Sequence, residues 1–315
     1  MASYLVTGGA GFIGSHLAEE LLRRGHTVRV ADSLITGKRC NLDHLQGVEF
    51  LEGDLADLPF AQRAVTGMDY VLHQAAIPSV PRSVNDPITS NRANADATLN
   101  VLVAARDAGV RRLVFAGSSS EYGNTPTLPK REDMTPSPLS PYALQKVIGT
   151  QYCQMFTRLY GFETVVIRYF NVFGPRQDPG SPYSGVISVF ATSLSEGRQP
   201  TIYGDGEQTR DFTYVANVVD GVLRACDAPK AAGEIINVAT NGRVSLNELL
   251  GIMNRIVGTD LKAIYKDVRA GDVKDSQADI TKAKEILGYT PIVGLEEGLR
   301  HTLAWCRAQS AAAGR

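Results

Sequence analysis

Tyr142 and Lys146, in Pro141-Tyr142-Ala143-Leu144-Gln145-Lys146, stand four residues apart, and Ser118 opens a serine run just past an apolar segment. On a helix, positions i and i+4 share a face, so this spacing sets an ammonium beside a phenol. The positive charge favours phenolate and makes a weak base usable near neutral pH. With a hydroxyl alongside, the set can take a proton from an alcohol and return it, which is what reversible hydride transfer asks of a protein. In a chain with 12 tyrosines the pair alone says little, and its plain alternative is an exposed helix face. Its meaning comes from the glycine turn upstream.

That turn, Gly8-Gly9-Ala10-Gly11-Phe12-Ile13-Gly14, follows the apolar run Ser3–Thr7 and precedes Ile13, Leu17, Leu21 and Leu22 at helical spacing. The order is strand, turn, helix, with a stop at Gly25. Glycines 8, 11 and 14 permit a tight bend, close approach of backbone to a diphosphate, and an anion at the helix N-terminus. Asp32 ends the next strand, 18 residues past Gly14, where a carboxylate binds a ribose diol. The same charge repels a 2'-phosphate, and Ser33 and Leu34 follow it instead of arginine, so NAD is favoured over NADP. Asp54, before Leu55, is placed to accept from an adenine amino group; its plain alternative is a helix cap near Pro59.

Short apolar runs at 48–51, 70–73, 112–116 and 164–169 alternate with helical stretches near 11–24, 88–108 and 141–159. The alternation predicts an α/β fold, a Rossmann-like doubly wound parallel sheet covered on both faces. An NAD-binding domain is expected over 1–175, with segments near 212–240 returning to it, and a smaller C-terminal α/β substrate-binding lobe over most of 176–315. The tail from Ala308 is expected to fray. At 315 residues and 43% hydrophobic the chain can bury a sizeable core. Its 32 basic and 33 acidic residues give a charge of -1, which supplies no field for nucleic acid or membrane surfaces and points to small-molecule partners. Cys40, Cys153, Cys226 and Cys306 are scattered, suggesting neither disulfide frame nor metal knuckle. With a strand from about Ser3 and no apolar run of ~18 residues, a cytoplasmic protein is expected.

Over almost its whole length the chain resembles the extended short-chain dehydrogenase/reductases of the NAD-dependent epimerase/dehydratase family, within them the nucleotide-sugar 4-epimerases. The ordered motifs are Thr7–Gly14, Gly53-Asp54-Leu55, His73-Gln74-Ala75-Ala76, Ser118–Gly123, Tyr142-x-x-x-Lys146, Arg168–Gly174, Gly204-Asp205-Gly206, Arg210-Asp211-Phe212 and Arg269-Ala270-Gly271-Asp272. The resemblance implies that Tyr142 removes the sugar 4-OH proton, that Lys146 binds nicotinamide ribose and lowers the phenol pKa, and that Ser118 holds the reacting oxygen. It adds Gly8, Gly11, Phe12, Ile13, Gly14, Asp32, Asp54, Leu55, Gln74, Ala75, Ala76, Asn94 and Phe170 as cofactor contacts. For the substrate it implies Ser79, Ser119, Asn171, Val186, Tyr203, Arg210, Arg269, Asp272 and Ser276.

Dehydratases and decarboxylases of this scaffold carry acids beside the catalytic hydroxyl, where this chain has Ser119 and Ser120. Glu121, one residue later, is expected on the opposite face of an extended segment, structural or solvent-facing. Simple inversion at C4 is then the implied reaction. Serine at 276 leaves space for an N-acetyl group, and Ser79–Pro87 with Phe173–Pro179 resembles bacterial UDP-N-acetylglucosamine 4-epimerases of polysaccharide biosynthesis, apart from Pro78 before Ser79. The expected substrates are UDP-GlcNAc/UDP-GalNAc, with UDP-Glc/UDP-Gal as a further pair. The alternatives are a UDP-glucuronate-type 4-epimerase, for which Arg82 would face the C6 carboxylate, and a non-catalytic NAD-binding protein. A homodimer is expected on resemblance, and no metal.

Overall fold

The computed structural model describes residues 1–178, 185–268 and 274–313, with side chains to Gln309. Its long strands are β1 (Ser3–Thr7), β2 (Thr27–Asp32), β3 (Val48–Glu52), β4 (Tyr70–His73), β5 (Arg112–Ser118) and β6 (Glu163–Tyr169). Shorter ones follow: β7 (Val172–Phe173), β8 (Thr201–Tyr203), β9 (Thr209–Arg210), β10 (Thr213–Tyr214), β11 (Ile235–Val238), β12 (Val244–Ser245) and β13 (Ile264–Lys266). The helices are α1 (Phe12–Arg23), α2 (Leu58–Val65), α3 (Val80–Asn85), α4 (Pro87–Asn91), α5 (Ala97–Asp107) and α6 (Pro141–Tyr160), then α7 (Val186–Ser195), α8 (Val215–Asp227), α9 (Leu246–Val257), α10 (Thr281–Leu287) and α11 (Leu295–Ala313).

Seven strands form one sheet in the order β11-β6-β5-β4-β1-β2-β3, every pairing parallel. The doubly wound sheet read from the alternation is therefore present. Successive side chains alternate between faces. Val6 joins Leu17, Leu21, Val218 and Val222 of α1 and α8 on one face, and Leu5 joins Phe60, Val101 and Phe156 of α2, α5 and α6 on the other. A third cluster of Phe190, Leu249, Met253 and Leu299 holds α7, α9 and α11 together. The chain moves outward from β1 to β3, then crosses to β4, so a crevice opens at the carboxyl ends of β1 and β4.

Two predicted elements differ. The stretch expected as one helix over 88–108 contains a π-helical turn, Arg92–Asp96, between α4 and α5. Instead of fraying from Ala308, α11 continues to Ala313, because alanine favours helix more than any other residue. Helix α6 begins where its sequence dictates. Ser140 accepts the Ala143 N–H at 3.1 Å, Pro141 fills the first turn, and Gly161 closes the helix at φ +66°.

Candidate active site

The crevice is a cleft of about 1440 Å³ walled at one end by the glycine turn. Gly8 has φ +64°, and a Cβ on Gly14 would lie 2.3 Å from the Gly8 carbonyl oxygen, so the turn is closed to larger residues. Helix α1 has Gly11 at its N-cap, with no side-chain cap and no acid in its first turn, leaving N–H groups and the positive helix end for an anion. Asp32 is buried; its carboxylate accepts from Ala10 N–H at 2.9 Å and Leu34 N–H at 2.8 Å, while burial lifts its pKa. Asp54 is not the cap of α2. Asp57 takes that role, and Asp54 accepts from Ala56 N–H at 2.9 Å beside Leu55 on the cleft wall.

Gln74, Ala75 and Ala76 line the cleft after β4. Gln74 Oε1 accepts from the Tyr169 hydroxyl at 2.8 Å, and its buried Nε2 has no partner among the described residues. An uncapped helix end, a carboxylate at the second strand end and an orphaned amide donor together fit a dinucleotide. Two expected contacts lie elsewhere. Asn94, inside the π turn, is buried and bonds to Ile77 N–H (2.7 Å) and Gln145 Oε1 (2.8 Å), tying the Pro78–Ser79 loop to α6. Phe170 is wholly buried with its ring 6.1 Å from that of Tyr122, on the core side of the strand end.

At the other end, Ser118 is the last residue of β5 and caps the 3₁₀ turn Ser119–Tyr122. Its Oγ accepts from Ser120 N–H (3.2 Å) and Ser120 Oγ (2.8 Å), so the capping serine and the cleft-facing serine are one residue. Tyr142 faces it from the first turn of α6, tethered by its N–H to Ser83 Oγ at 3.0 Å. Lys146 donates from Nζ to the Ala116 carbonyl at 2.8 Å, with Nζ 4.9 Å from the Phe115 ring centre and 6.0 Å from that of Tyr142.

The electrostatics correct one expectation. Burial pushes the Tyr142 phenol up to about 12; the Ser118 hydrogen bond opposes this and the Glu121 charge adds to it. Burial also draws Lys146 down to about 8, opposed by Glu121. Losing water around a phenolate outweighs the Ser118 hydrogen bond, so these side chains leave the phenol above its ordinary value.

Of the two expectations for Glu121 the structural one holds and the solvent-facing one does not, and the extended segment behind them is replaced. The segment is a 3₁₀ turn, not a strand, and its carboxylate points inward with no exposure. Oε1 accepts from Ser118 N–H at 2.9 Å; Oε2 accepts from Thr150 Oγ1 at 3.0 Å and Arg168 Nη2 at 2.8 Å.

Farther along the cleft, Ser79 caps α3 by accepting from Arg82 N–H at 3.1 Å, and Ser79, Arg82, Ser119 and Asn171 line its wall. Asn171, at φ +35°, also borders a smaller pocket of about 260 Å³ lined by Val186, Tyr203 and Arg210. Asp211, next to Arg210, turns the other way and accepts from Thr240 and Ala278 in the core. Ser276 donates its N–H to Thr209 O at 3.0 Å beside Arg210, and lines neither cavity. Arg269 and Asp272 lie outside the described residues. Arg176 was missed: it lines the cleft and bonds to His16 and Glu19 of α1, partners far away in sequence that no local pattern announces.

Among the described residues no group of three metal-ligating side chains could hold an ion, and no helix is long and apolar enough to cross a membrane. All four cysteines are free. A UDP-glucose 4-epimerase of Mycolicibacterium smegmatis is 39% identical over 97% of this chain and 99% of its own. A UDP-N-acetyl-alpha-D-glucosaminuronate decarboxylase of Bacillus cytotoxicus is 35% identical over 96% and 97%. Among solved structures, the UDP-N-acetylglucosamine 4-epimerase from Methanobrevibacter ruminantium, in complex with UDP-N-acetylmuramic acid, superposes with TM-score 0.94 at 37% identity, covering 98% of this chain and 99% of that one. Residues 4–239, three quarters of the chain, match one family throughout. The chain belongs to the NAD-dependent epimerase/dehydratase family, and its cofactor is NAD.

Proposed function

We propose that the protein inverts C4 of a UDP-hexose, interconverting UDP-GlcNAc and UDP-GalNAc and, as a secondary pair, UDP-Glc and UDP-Gal. The observation that carries this reading is the hydroxyl, phenol and ammonium of Ser118, Tyr142 and Lys146 gathered at one cleft, with serines and not acids at 119 and 120. Bound NAD supplies a reversible acceptor for the C4 hydrogen. Tyr142 takes the O4 proton and later returns it. Ser118 holds O4 between the two events, and Lys146 contributes positive charge as the phenol ionises. Positions 119 and 120 carry no acid to expel water from the 4-keto sugar, and the Glu121 carboxylate is turned into the core by Arg168 and Thr150. Arg210, Tyr203 and Val186 would receive the uridine diphosphate, and a cleft of this size leaves the sugar room to turn over.

The N-acetyl preference is supported by the Methanobrevibacter relative and, through the resemblance alone, by serine at 276, which lines neither cavity. The exposed apolar residues Ile88 of α4 and Leu144 and Leu159 of α6 support a homodimer built on these helices. A uronate reading has one observation in its favour, the position of Arg82 on the cleft wall one turn beyond Ser79. Purified protein incubated with UDP-GlcNAc, UDP-Glc or UDP-GlcA, without added NAD, separates these. Formation of UDP-GalNAc, with slower formation of UDP-Gal, is expected. Turnover of UDP-GlcA alone would favour the uronate reading, release of carbon dioxide a decarboxylase, and bound NAD without any turnover a non-catalytic role.

A further inference from the structure

Glu121 is a charged side chain that touches all three segments around the reacting groups. Its Oε1 accepts the backbone N–H of Ser118 at the end of β5. Its Oε2 accepts from Thr150, one turn beyond Lys146 on α6, and from both Nε (3.1 Å) and Nη2 (2.8 Å) of Arg168 on β6. Both members of the ion pair are almost completely buried, at 0% and 1% exposure. The Arg168 guanidinium is itself held over the Tyr122 ring at 4.6 Å, and Tyr122 donates to Asn237 Oδ1 at 2.7 Å in β11. The carboxylate is thus fixed from the core side while its other edge fixes the serine turn.

We propose that Glu121 is a positioning residue for the acid–base set: it sets the height of Ser118 against Tyr142 and Lys146, and it holds a carboxylate against α6 one turn beyond Lys146. The inference rests on the reading that those three residues perform the chemistry. A charge buried with its partner in a core is costly, and a packed apolar pair of the same volume is often at least as stable, so stability alone does not account for the pair. What an apolar pair would not provide is an acceptor for Ser118 N–H and a negative field at Lys146. The groups facing Lys146 are the neutral, buried His73 of β4, the Phe115 ring of β5, Tyr142 and Cys153 of α6, and Glu121. Glu121 is the one carboxylate among these, and it opposes the burial that draws Lys146 downward.

The test uses the full-length protein with its bound NAD and UDP-GlcNAc as substrate. Because Glu121→Leu leaves Arg168 buried without its partner, it is paired with the double variant Glu121→Leu/Arg168→Met, which removes both charges and the acceptor for Ser118 N–H. In the double variant we expect an intact fold by circular dichroism, NAD content equal to the wild type and KM within about twofold. We expect kcat to fall by ~10²-fold, the size of a misplaced reacting group. The alkaline limb of the kcat–pH profile should move to lower pH, because Lys146 loses the charge that opposes its desolvation. Glu121→Asp, which keeps the charge on a shorter stem, should recover the position of the limb more fully than the rate. A stable double variant with wild-type kcat and an unmoved limb would overturn the proposal and leave the pair a packing device. If Tyr142→Phe is as active as the wild type, the underlying reading of the site fails instead, which a separate assay of that variant distinguishes.

Discussion

Gly149→Ala tests how tightly the wall behind Lys146 is packed. Gly149 lies on the buried face of α6, and a Cβ there would sit 2.4 Å from Phe115 Cζ. Carbon atoms rest at ~3.5–4.0 Å, so the ring would have to retreat by about 1 Å. It has little room to do so: Phe115 is 1% exposed, with the His73 ring centre 5.8 Å and Lys146 Nζ 4.9 Å from its own centre. Alanine in a helix interior gains up to ~1 kcal/mol over glycine. Overpacking costs ~1–3 kcal/mol, and a fully buried ring with close neighbours belongs at the upper end. The net is a loss of about 1–2 kcal/mol, or a fall in Tm of a few degrees for a chain of this length. Kinetic damage should accompany it, since the displaced ring pushes on Lys146: kcat should fall while bound NAD is retained. Phe115→Leu in the same chain gives the ring's space back. Thermal unfolding of wild type, both single variants and the double variant forms a cycle, and the double variant should be more stable than the sum of the singles by about 1–2 kcal/mol. Strict additivity, or a Gly149→Ala protein as stable as the wild type, would refute the reasoning.

Other outcomes follow from the same geometry. Gly14→Ala drives a Cβ into backbone that cannot yield, 2.3 Å from the Gly8 oxygen, so the purified protein should carry little NAD, measured by release on denaturation. His16, pulled down to about 4 by burial and by Arg176, takes up its proton at higher pH when unfolded than when folded. Stability is therefore lost as pH falls from about 6.5 toward 4, by up to ~3 kcal/mol; Tm should drop over that range, and more shallowly in His16→Gln. Ser276→Tyr should shift preference from UDP-GlcNAc toward UDP-Glc in a paired kcat/KM assay, and an unchanged ratio would end the argument that this position reads the C2 substituent.

The sequence made the frame legible where one local pattern decides the structure. The strand, turn and helix around Gly8–Gly14 rest on glycine geometry and apolar spacing, and the Tyr142–Lys146 face on Ser140 and Pro141 starting a helix at a fixed place. What stayed hidden depends on distant partners. Glu121 reads as a polar residue in a loop until Arg168 and Thr150 fold around it, and Asn94 reads as one turn of a regular helix because a π turn leaves the apolar pattern almost intact. Two-residue strands such as β7, β9 and β10 are too short to show a period at all. Phe170 and Asn171 illustrate the finest level: neighbours in one motif, one goes to the core and the other, at positive φ, to the cleft.

The sheet's order also says something about how this chain must be made. Strand β6 is complete by Tyr169, yet the neighbour that covers its outer edge, β11, arrives only after α7 and α8 have been synthesised. Until Ile235 pairs with Val166, a nascent chain presents Glu163–Tyr169, rich in Val and Ile, as an open hydrogen-bonding edge. Ribosome-bound intermediates and any fragment ending before β11 are thus exposed to edge-to-edge aggregation, and a soluble N-terminal cofactor domain should require the chain to extend through Val238.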